Sequence, residues 1–236
     1  MFKDIKMLGI IPARGGSKRI PRKNIVPLNG KPLIAYTIET AKKSKYINKV
    51  IVSTDSEEIA SVARQYGAEV PFLRPKNISQ DDSTEMQFLE HALEWFLVNE
   101  NYEPHLIILL YPTSPFRKPR SIDNAIKEIL DHPEADSLRS VRLCSEHPYK
   151  MWTIEDGYLK PFVEAKDSNI HTLSYHLLPQ VYIQNASIYI TKPSTLRNKN
   201  SPLGDTIIPF IMDPTESIDV NNALDYKLAE RLMKGV

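Results

Sequence analysis

The chain has 236 residues, 42% of them hydrophobic and 25% charged, with a formal net charge of +1. That is enough chain for one α/β unit with a full core. The near-neutral balance argues against nucleic acid as a partner, and no apolar run approaches the roughly 20 residues of a membrane span.

Strands and helices alternate along most of the chain, the order of a mostly parallel sheet with helices on both faces. An apolar strand over 8–11, with Leu8, Ile10 and Ile11, runs into a paired-glycine loop. Between 12 and 24 this loop carries five cations, Arg14, Lys18, Arg19, Arg22 and Lys23, and no acid. Gly15 and Gly16 are expected to let the backbone turn sharply and aim its amides inward. Such a nest, ringed by cations, suits a polyphosphate. The spacing is neither that of a Walker A loop nor that of a dinucleotide fingerprint.

A helix follows over 32–44, burying Ile34, Ile38 and Ala41, with Pro32 in its first turn. A second strand spans 49–54. Asp55 or Ser56 caps the next helix, which buries Ile59, Val62, Ala63 and Tyr66 and stops at Gly67. A short strand is expected over 70–73. A long helix over 83–99 turns Leu89, Ala92, Leu93 and Phe96 inward. Residues 106–110 are wholly apolar, as a central parallel strand should be, and 119–130 form another helix. The acids Glu57, Glu58, Asp81 and Asp82 read as first-turn residues that complement helix dipoles.

Past 137 the periodicity changes to short strands and turns. Asp156-Gly157 marks a hairpin between 151–154 and 158–162. Residues 164–180 are weakly patterned and read as a long loop or arm; 181–190 form a strand pair or one bent strand. A last helix over 223–233 sets Leu224, Leu228 and Leu232 in line and ends near Gly235. Cys144 is the only cysteine, so no intrachain disulfide can form, which fits a reducing cytoplasm. Met1, Phe2, Lys3 and Asp4 lack the apolar stretch of a secretory signal. The six histidines show no metal-ligand spacing.

Pro12-Ala13-Arg14-Gly15-Gly16-Ser17-Lys18 with Lys23-Asn24 resembles the CMP-sialic acid synthetases (acylneuraminate cytidylyltransferases) and their relatives acting on other nonulosonic acids. The likeness continues through Gly30-Lys31-Pro32, Val52-Ser53-Thr54-Asp55-Ser56, Phe72-Leu73-Arg74-Pro75 and Gln80-Asp81-Asp82-Ser83. It resumes at Pro112-Thr113-Ser114-Pro115-Phe116-Arg117, His147-Pro148-Tyr149-Lys150, Leu178-Pro179-Gln180, Gln184-Asn185 and Ser217-Ile218-Asp219. The resemblance therefore spans nearly the whole chain in order.

This resemblance implies a three-layer, doubly wound α/β fold of the nucleotide-diphospho-sugar transferase kind, one unit over 1–236. It also implies a β-rich arm over about 140–190 that packs on a second subunit of a homodimer. The aromatic residues Trp152, Tyr158, Phe162, Tyr175 and Tyr182 in that stretch are too thinly spread to bury themselves. The implied reaction transfers CMP from CTP to the anomeric hydroxyl of a 2-keto sugar acid with loss of pyrophosphate, feeding surface-glycan synthesis. By the same likeness Ala13, Arg14, Gly15, Gly16, Ser17, Lys18 and Lys23 hold the phosphates, with Arg14 and Lys23 catalytic and Lys23 nearest the α-phosphate. Asn24, Arg74 and Ser83 contact the nucleoside, Ser83 also serving as a helix cap. Thr113, Ser114, Lys150, Gln184 and Asn185 lie on the sugar side. Asp219 is the catalytic carboxylate for Mg²⁺ at a strand end, joined by Asn221.

The sequence departs from the family pattern mainly on the sugar side. Tyr111 precedes Pro112 where glutamine is usual, Tyr175-His176 replace an arginine–glutamine pair, and Ala186 replaces a glycine. Asn221 stands where the family has a second aspartate, which lowers the expected metal affinity. These departures point to an acceptor other than, or in addition to, N-acetylneuraminic acid. A nucleotidyltransferase for KDO or another sugar, and a non-catalytic sugar-nucleotide sensor, remain as alternatives.

Overall fold

The computed structural model describes residues 5–235, so residues 1–4, read above for a secretory signal, lie outside it. In chain order, β1 (Met7–Pro12) is followed by a small hairpin, β2 (Pro27–Leu28) and β3 (Lys31–Pro32), and by α1 (Leu33–Lys42). Then come β4 (Lys49–Ser53), α2 (Glu57–Gln65), α3 (Glu85–Glu100), β5 (Leu106–Leu110), α4 (Pro119–Asp131) and β6 (Ser137–Leu143). A second hairpin, β7 (Trp152–Glu155) with β8 (Tyr158–Pro161), precedes β9 (Tyr182–Thr191), α5 (Pro193–Lys199), β10 (Ile207–Ile211) and α6 (Ala223–Lys234).

The main sheet has the order β10-β6-β9-β5-β1-β4. β1 pairs parallel with both β4 and β5, and β10 pairs parallel with β6. β9 is antiparallel to both of its neighbours, β5 and β6. Every residue of β1 and β5 is buried, because helices cover both faces of a parallel sheet. Ile38 of α1, Ile59 of α2 and Ile122, Ile126 and Ile129 of α4 pack on one face against Ile11, Val52 and Ile108. On the other face Phe88, Leu89, Ala92 and Phe96 of α3, with Leu196 of α5, meet Leu8, Ile10, Ile51, Ile107 and Leu109. The result is the three-layer α/β architecture expected. Among the described residues no helix is long and apolar enough to cross a membrane.

Four expectations need correction. The 70–73 strand exists only as isolated bridges, Ile51 to Glu69 and Thr54 to Leu73, because Pro71 and Pro75 leave no continuous ladder of donors. α3 starts at Glu85 rather than 83: Thr84 caps it, with Gln87 reaching back to complete a capping box. Ser83 is thereby left outside the helix. The Leu224, Leu228 and Leu232 stripe of α6 faces outward, at 75%, 48% and 41% exposure. α6 instead turns Ala229, Tyr226 and Met233 toward Leu28 and Leu33. The segment that leaves the sheet is shorter than 140–190, since β6 and β9 both belong to the main sheet.

Candidate active site

The carboxyl ends of the parallel strands deliver their following loops to one cavity of about 360 Å³, the usual ligand crevice of an open α/β sheet. β1 contributes Pro12, and the loop after it Arg14, Ser17, Lys23 and Asn24. The segment after β4 adds Arg74, Gln80, Asp81 and Ser83, and α3 adds Glu85 and Phe88. Tyr111, Pro112 and Thr113 follow β5, Ala186 sits within β9, and Asp219 and Asn221 come from the loop after β10.

The glycine loop differs in detail from its expected form. Neither Gly15 nor Gly16 has a positive φ; the left-handed residue of the turn is Arg22, at φ 56°. At Gly15 the backbone passes close to α2, and a Cβ there would sit 3.2 Å from the Ser56 Cβ, tighter than ordinary contact. Its amide donates to Asp55 Oδ1 at 2.8 Å, so this N–H is turned away from the nest. Asp55, weighed above only as a helix cap, thus anchors the loop, while Ser56 caps α2. Around Gly16 a Cβ would meet no atom within 4 Å, leaving space for a ligand to approach the backbone. Ala13 is buried and ties its amide to the Ser53 carbonyl at 2.9 Å.

Most of the loop's cations have protein partners. Arg14 donates to Asp81 at 2.6 Å, Lys18 pairs with the other Asp81 oxygen, and Arg22 pairs with Glu58. Lys18 and Arg14 together hold the Asp81 carboxyl below the usual carboxylate range. Asp81 is therefore an ion-pair partner of the loop rather than a solvated helix-dipole acid.

Lys23 occupies the inner end of the cavity. Its ammonium donates to Asn221 Oδ1 at 3.2 Å, and the Asn221 amide donates to Asp219 Oδ2 at 2.5 Å. Burial lowers the Lys23 pKa against the pull of Asp219, with Arg19 and Arg14 adding to the lowering. Burial raises the Asp219 pKa, opposed first by the Thr113 hydroxyl and then by the Asn221 amide and Lys23. Asp219 lies in an irregular segment rather than at a strand end, held by the neighbouring Val220 amide, which donates to the Thr113 carbonyl at 2.8 Å. Asp219 Oδ1 is buried and has no hydrogen-bond partner. One free carboxylate oxygen suits a hard divalent cation that takes its other ligands from phosphate and water. The Asn221 oxygen, expected as a second metal ligand, is engaged by Lys23. Among the described residues no group of three or more His, Cys, Asp or Glu could hold a metal.

Arg74 forms the far wall. It is buried against the Phe88 ring at 4.7 Å and donates to Ser53 Oγ at 3.0 Å and to the Ser53 carbonyl at 2.6 Å. Burial lowers its pKa to about 10. Ser83 Oγ accepts from the Gln80 amide at 2.8 Å, closing the turn ahead of α3. Asn24 is buried and donates to the Arg14 carbonyl at 2.9 Å, fixing the loop from behind.

The sugar-side residues divide. Thr113 lines the cavity, whereas Ser114 is buried beside it and donates to the Ala186 carbonyl at 3.1 Å. Asn185 sits in the core, accepting from Ser140 at 2.5 Å and donating to Ser217 at 2.9 Å. Gln184 is exposed and lies in a separate groove with Arg139 and Tyr182. Lys150 is in the arm, donating to the His171 carbonyl at 2.6 Å. In this single chain neither Gln184 nor Lys150 faces the cavity.

Two of the departures form a wall of the cavity. Tyr111 donates to Glu85 Oε1 at 2.7 Å, and Glu85 Oε2 receives Arg139 at 3.1 Å. Arg139 stacks over Tyr189 at 4.2 Å, and the Tyr189 hydroxyl accepts the Ala186 amide at 3.1 Å. Ala186 is held at φ 50°. Glu85 and Phe88 escaped the sequence reading because nothing local distinguishes them from ordinary residues at the start of a helix, and Gln80 enters it only as part of a matching motif. Chemically, the cavity offers cations for a polyphosphate, a carboxylate beside a half-buried lysine, and walls that carry the Phe88 and Tyr111 rings.

The profile of the family described as Cytidylyltransferase matches residues 8–194. The chain is 36% identical over 233 residues to the CMP-N,N'-diacetyllegionaminic acid synthase of Legionella pneumophila, covering 98% of this chain and 97% of that protein. It is 33% identical over 227 residues to an N-acylneuraminate cytidylyltransferase of Escherichia coli, covering 95% of this chain and 51% of that longer protein. In fold it is similar to a CMP:2-keto-3-deoxy-manno-octonic acid synthetase solved with CTP, with a TM-score of 0.69, 16% identity, and 98% and 99% of the two chains covered.

Proposed function

The chain belongs to the cytidylyltransferase family, and on that premise we propose that it transfers CMP from CTP to the anomeric hydroxyl of a nonulosonic acid. The observation that carries this reading is the convergence of Arg14, Lys23 and Asp219 on one cavity that also holds Arg74 and Ser83. A phosphoryl transfer of this kind asks mostly for positioning and charge neutralisation. The acceptor oxygen forms a bond to the α-phosphorus while the bond to the bridging oxygen breaks and pyrophosphate departs. The hydroxyl proton passes to solvent or to a phosphate oxygen.

In this reading Lys23 places its charge on the α-phosphoryl group, where negative charge spreads as the bonds exchange. Arg14, Ser17 and Lys18 hold the outer phosphates, together with the loop backbone at Gly16, since the Gly15 amide is committed to Asp55. Arg74 and Ser83 face the nucleoside. Mg²⁺, carried by Asp219 and the triphosphate itself, would neutralise charge on the leaving pyrophosphate. Asn221 orients Lys23 rather than ligating the metal.

The acceptor is a nonulosonic acid other than, or in addition to, N-acetylneuraminic acid. Tyr111 and Ala186, both departures from the sialic acid pattern, line the cavity, and a close relative over the full length carries a legionaminic acid name. The enzyme works as a homodimer through the 144–181 arm, whose Ile154, Tyr158, Leu159 and Phe162 are 64–76% exposed. Lys150 and Gln184 then serve a site completed by the partner copy.

The deciding experiment measures pyrophosphate release and product mass with CTP, UTP, ATP and GTP against a panel of nonulosonic acids, with and without Mg²⁺. The expected result is a CMP-sugar formed only with CTP and Mg²⁺, and fastest with an acid other than N-acetylneuraminic acid. No turnover with any acid would favour a sugar-nucleotide sensor. A clear preference for N-acetylneuraminic acid would overturn the acceptor assignment.

A further inference from the structure

Asp81 lies in the turn ahead of α3 and lines the cavity. Both of its carboxylate oxygens are in use: Arg14 meets one at 2.6 Å and Lys18 meets the other. These are two of the cations that the glycine loop would offer to a triphosphate. Beside them Gly16 borders open space, with nothing within 4 Å of where a Cβ would stand. A carboxylate chelated by two cations at the edge of an open nest has the arrangement of a bound anion supplied by the protein itself. A triphosphate brings several negative charges, and its repulsion with a carboxylate at contact distance is severe. The two anions cannot share these cations.

We propose that Asp81 occupies the seat of the outer phosphates in the empty enzyme, leaves it when the triphosphate binds, and returns as pyrophosphate departs. The proposal rests on reading the cavity as a nucleotide triphosphate site. It gives Asp81 two roles in one turnover. It holds Arg14 in the cavity and Lys18 beside it, so the ligand meets an ordered cradle. It also competes for them, so the pyrophosphate product is not retained. The same turn holds Gln80 and Ser83. The Gln80 amide donates to Ser83 at 2.8 Å, and the Gln80 side chain donates to the Lys76 carbonyl at 2.5 Å. These bonds do not use the Asp81 carboxylate, so the exchange stays at the phosphate end and leaves the nucleoside end unchanged.

The test is titration calorimetry of the full chain and of Asp81→Asn with inorganic pyrophosphate, CTP, CMP and cytidine, alongside steady-state turnover. Asp81→Asn keeps the shape of the side chain and removes its charge. It is expected to bind pyrophosphate and CTP several-fold more tightly and cytidine unchanged. Its kcat should fall as pyrophosphate leaves more slowly, and Asp81→Ser should move the same way. Equal or weaker pyrophosphate binding by Asp81→Asn would overturn the proposal, as would an equal change for cytidine. If CTP binds selectively but is insensitive to Asp81→Asn, only this inference fails. If pyrophosphate tightens while CTP is not preferred over other triphosphates, only the cytidylyl reading fails.

Discussion

Asp219 carries an unusual burden for an acidic side chain: it is half-buried, its Oδ1 is shut off from solvent, and desolvation raises its pKa above the ordinary value of 3.8. The sign of the linkage follows directly. Just above 3.8 the folded chain holds a proton that the unfolded chain has released, so stability falls as pH rises through the folded pKa. At neutral pH the ionised group therefore works against the fold. Asp219→Asn is expected to raise the thermal midpoint at pH 7 relative to the parent while abolishing turnover. The gain should shrink below the folded pKa. Calorimetric scans at pH 4 and pH 7 check this, and a lower midpoint for the variant at pH 7 would refute it. At this scale the cations were legible in the sequence: Arg14 and Lys23 stand in an acid-free loop after an apolar strand. The partners of the site's acids were not. Asp55, Asp81 and Glu85 acquire their partners across 40, 67 and 26 positions, and no local pattern marks such pairs.

Among the elements, the bend in β9 shapes the site most. A register shift in the β6–β9 pairing between Arg139 and Val141 accompanies Ala186 at φ 50°. A non-glycine residue in this region carries a strain of about 1 kcal/mol. Here the Ala186 amide is caught by the Tyr189 hydroxyl and its carbonyl by Ser114. Ala186→Gly is expected to relieve that strain, raising stability by up to about 1 kcal/mol in urea unfolding, and to widen the range of acceptors used. A variant both less stable and unchanged in acceptor range would contradict this. The elements themselves were largely readable, because periods of two and 3.6 residues survive in the buried strands and in α1 to α4. The bent form of β9 was among the alternatives kept open. The outward face of α6 was not foreseen, since three aligned leucines carry the same signal whether or not a layer covers them.

For the molecule as a whole, the mostly parallel sheet and its three layers follow from the alternation of strands and helices. The 144–181 excursion does not, because its short hairpin and turns carry no sustained periodic pattern. Ile154, at 76% exposure, and Tyr158, at 74%, crown a two-stranded hairpin, and such a hairpin is marginal without further packing. Tyr158→Asp with Leu159→Asp is expected to convert a dimer into a monomer by light scattering at micromolar concentration. A parent chain that already runs as a monomer would remove the basis for that expectation. Sequence alone could name the apolar residues of the arm but not their cover.

The insertion of β9 between β5 and β6 also governs how the chain must come together during synthesis. Until residue 191 has left the ribosome, the wholly apolar β5 can pair only with β1 and keeps one bare edge. The strand that seals it is separated from it by α4, β6 and the entire hairpin excursion, so closure of the sheet centre is late. Nascent or truncated chains that stop short of β9 thus present a sticky margin to one another.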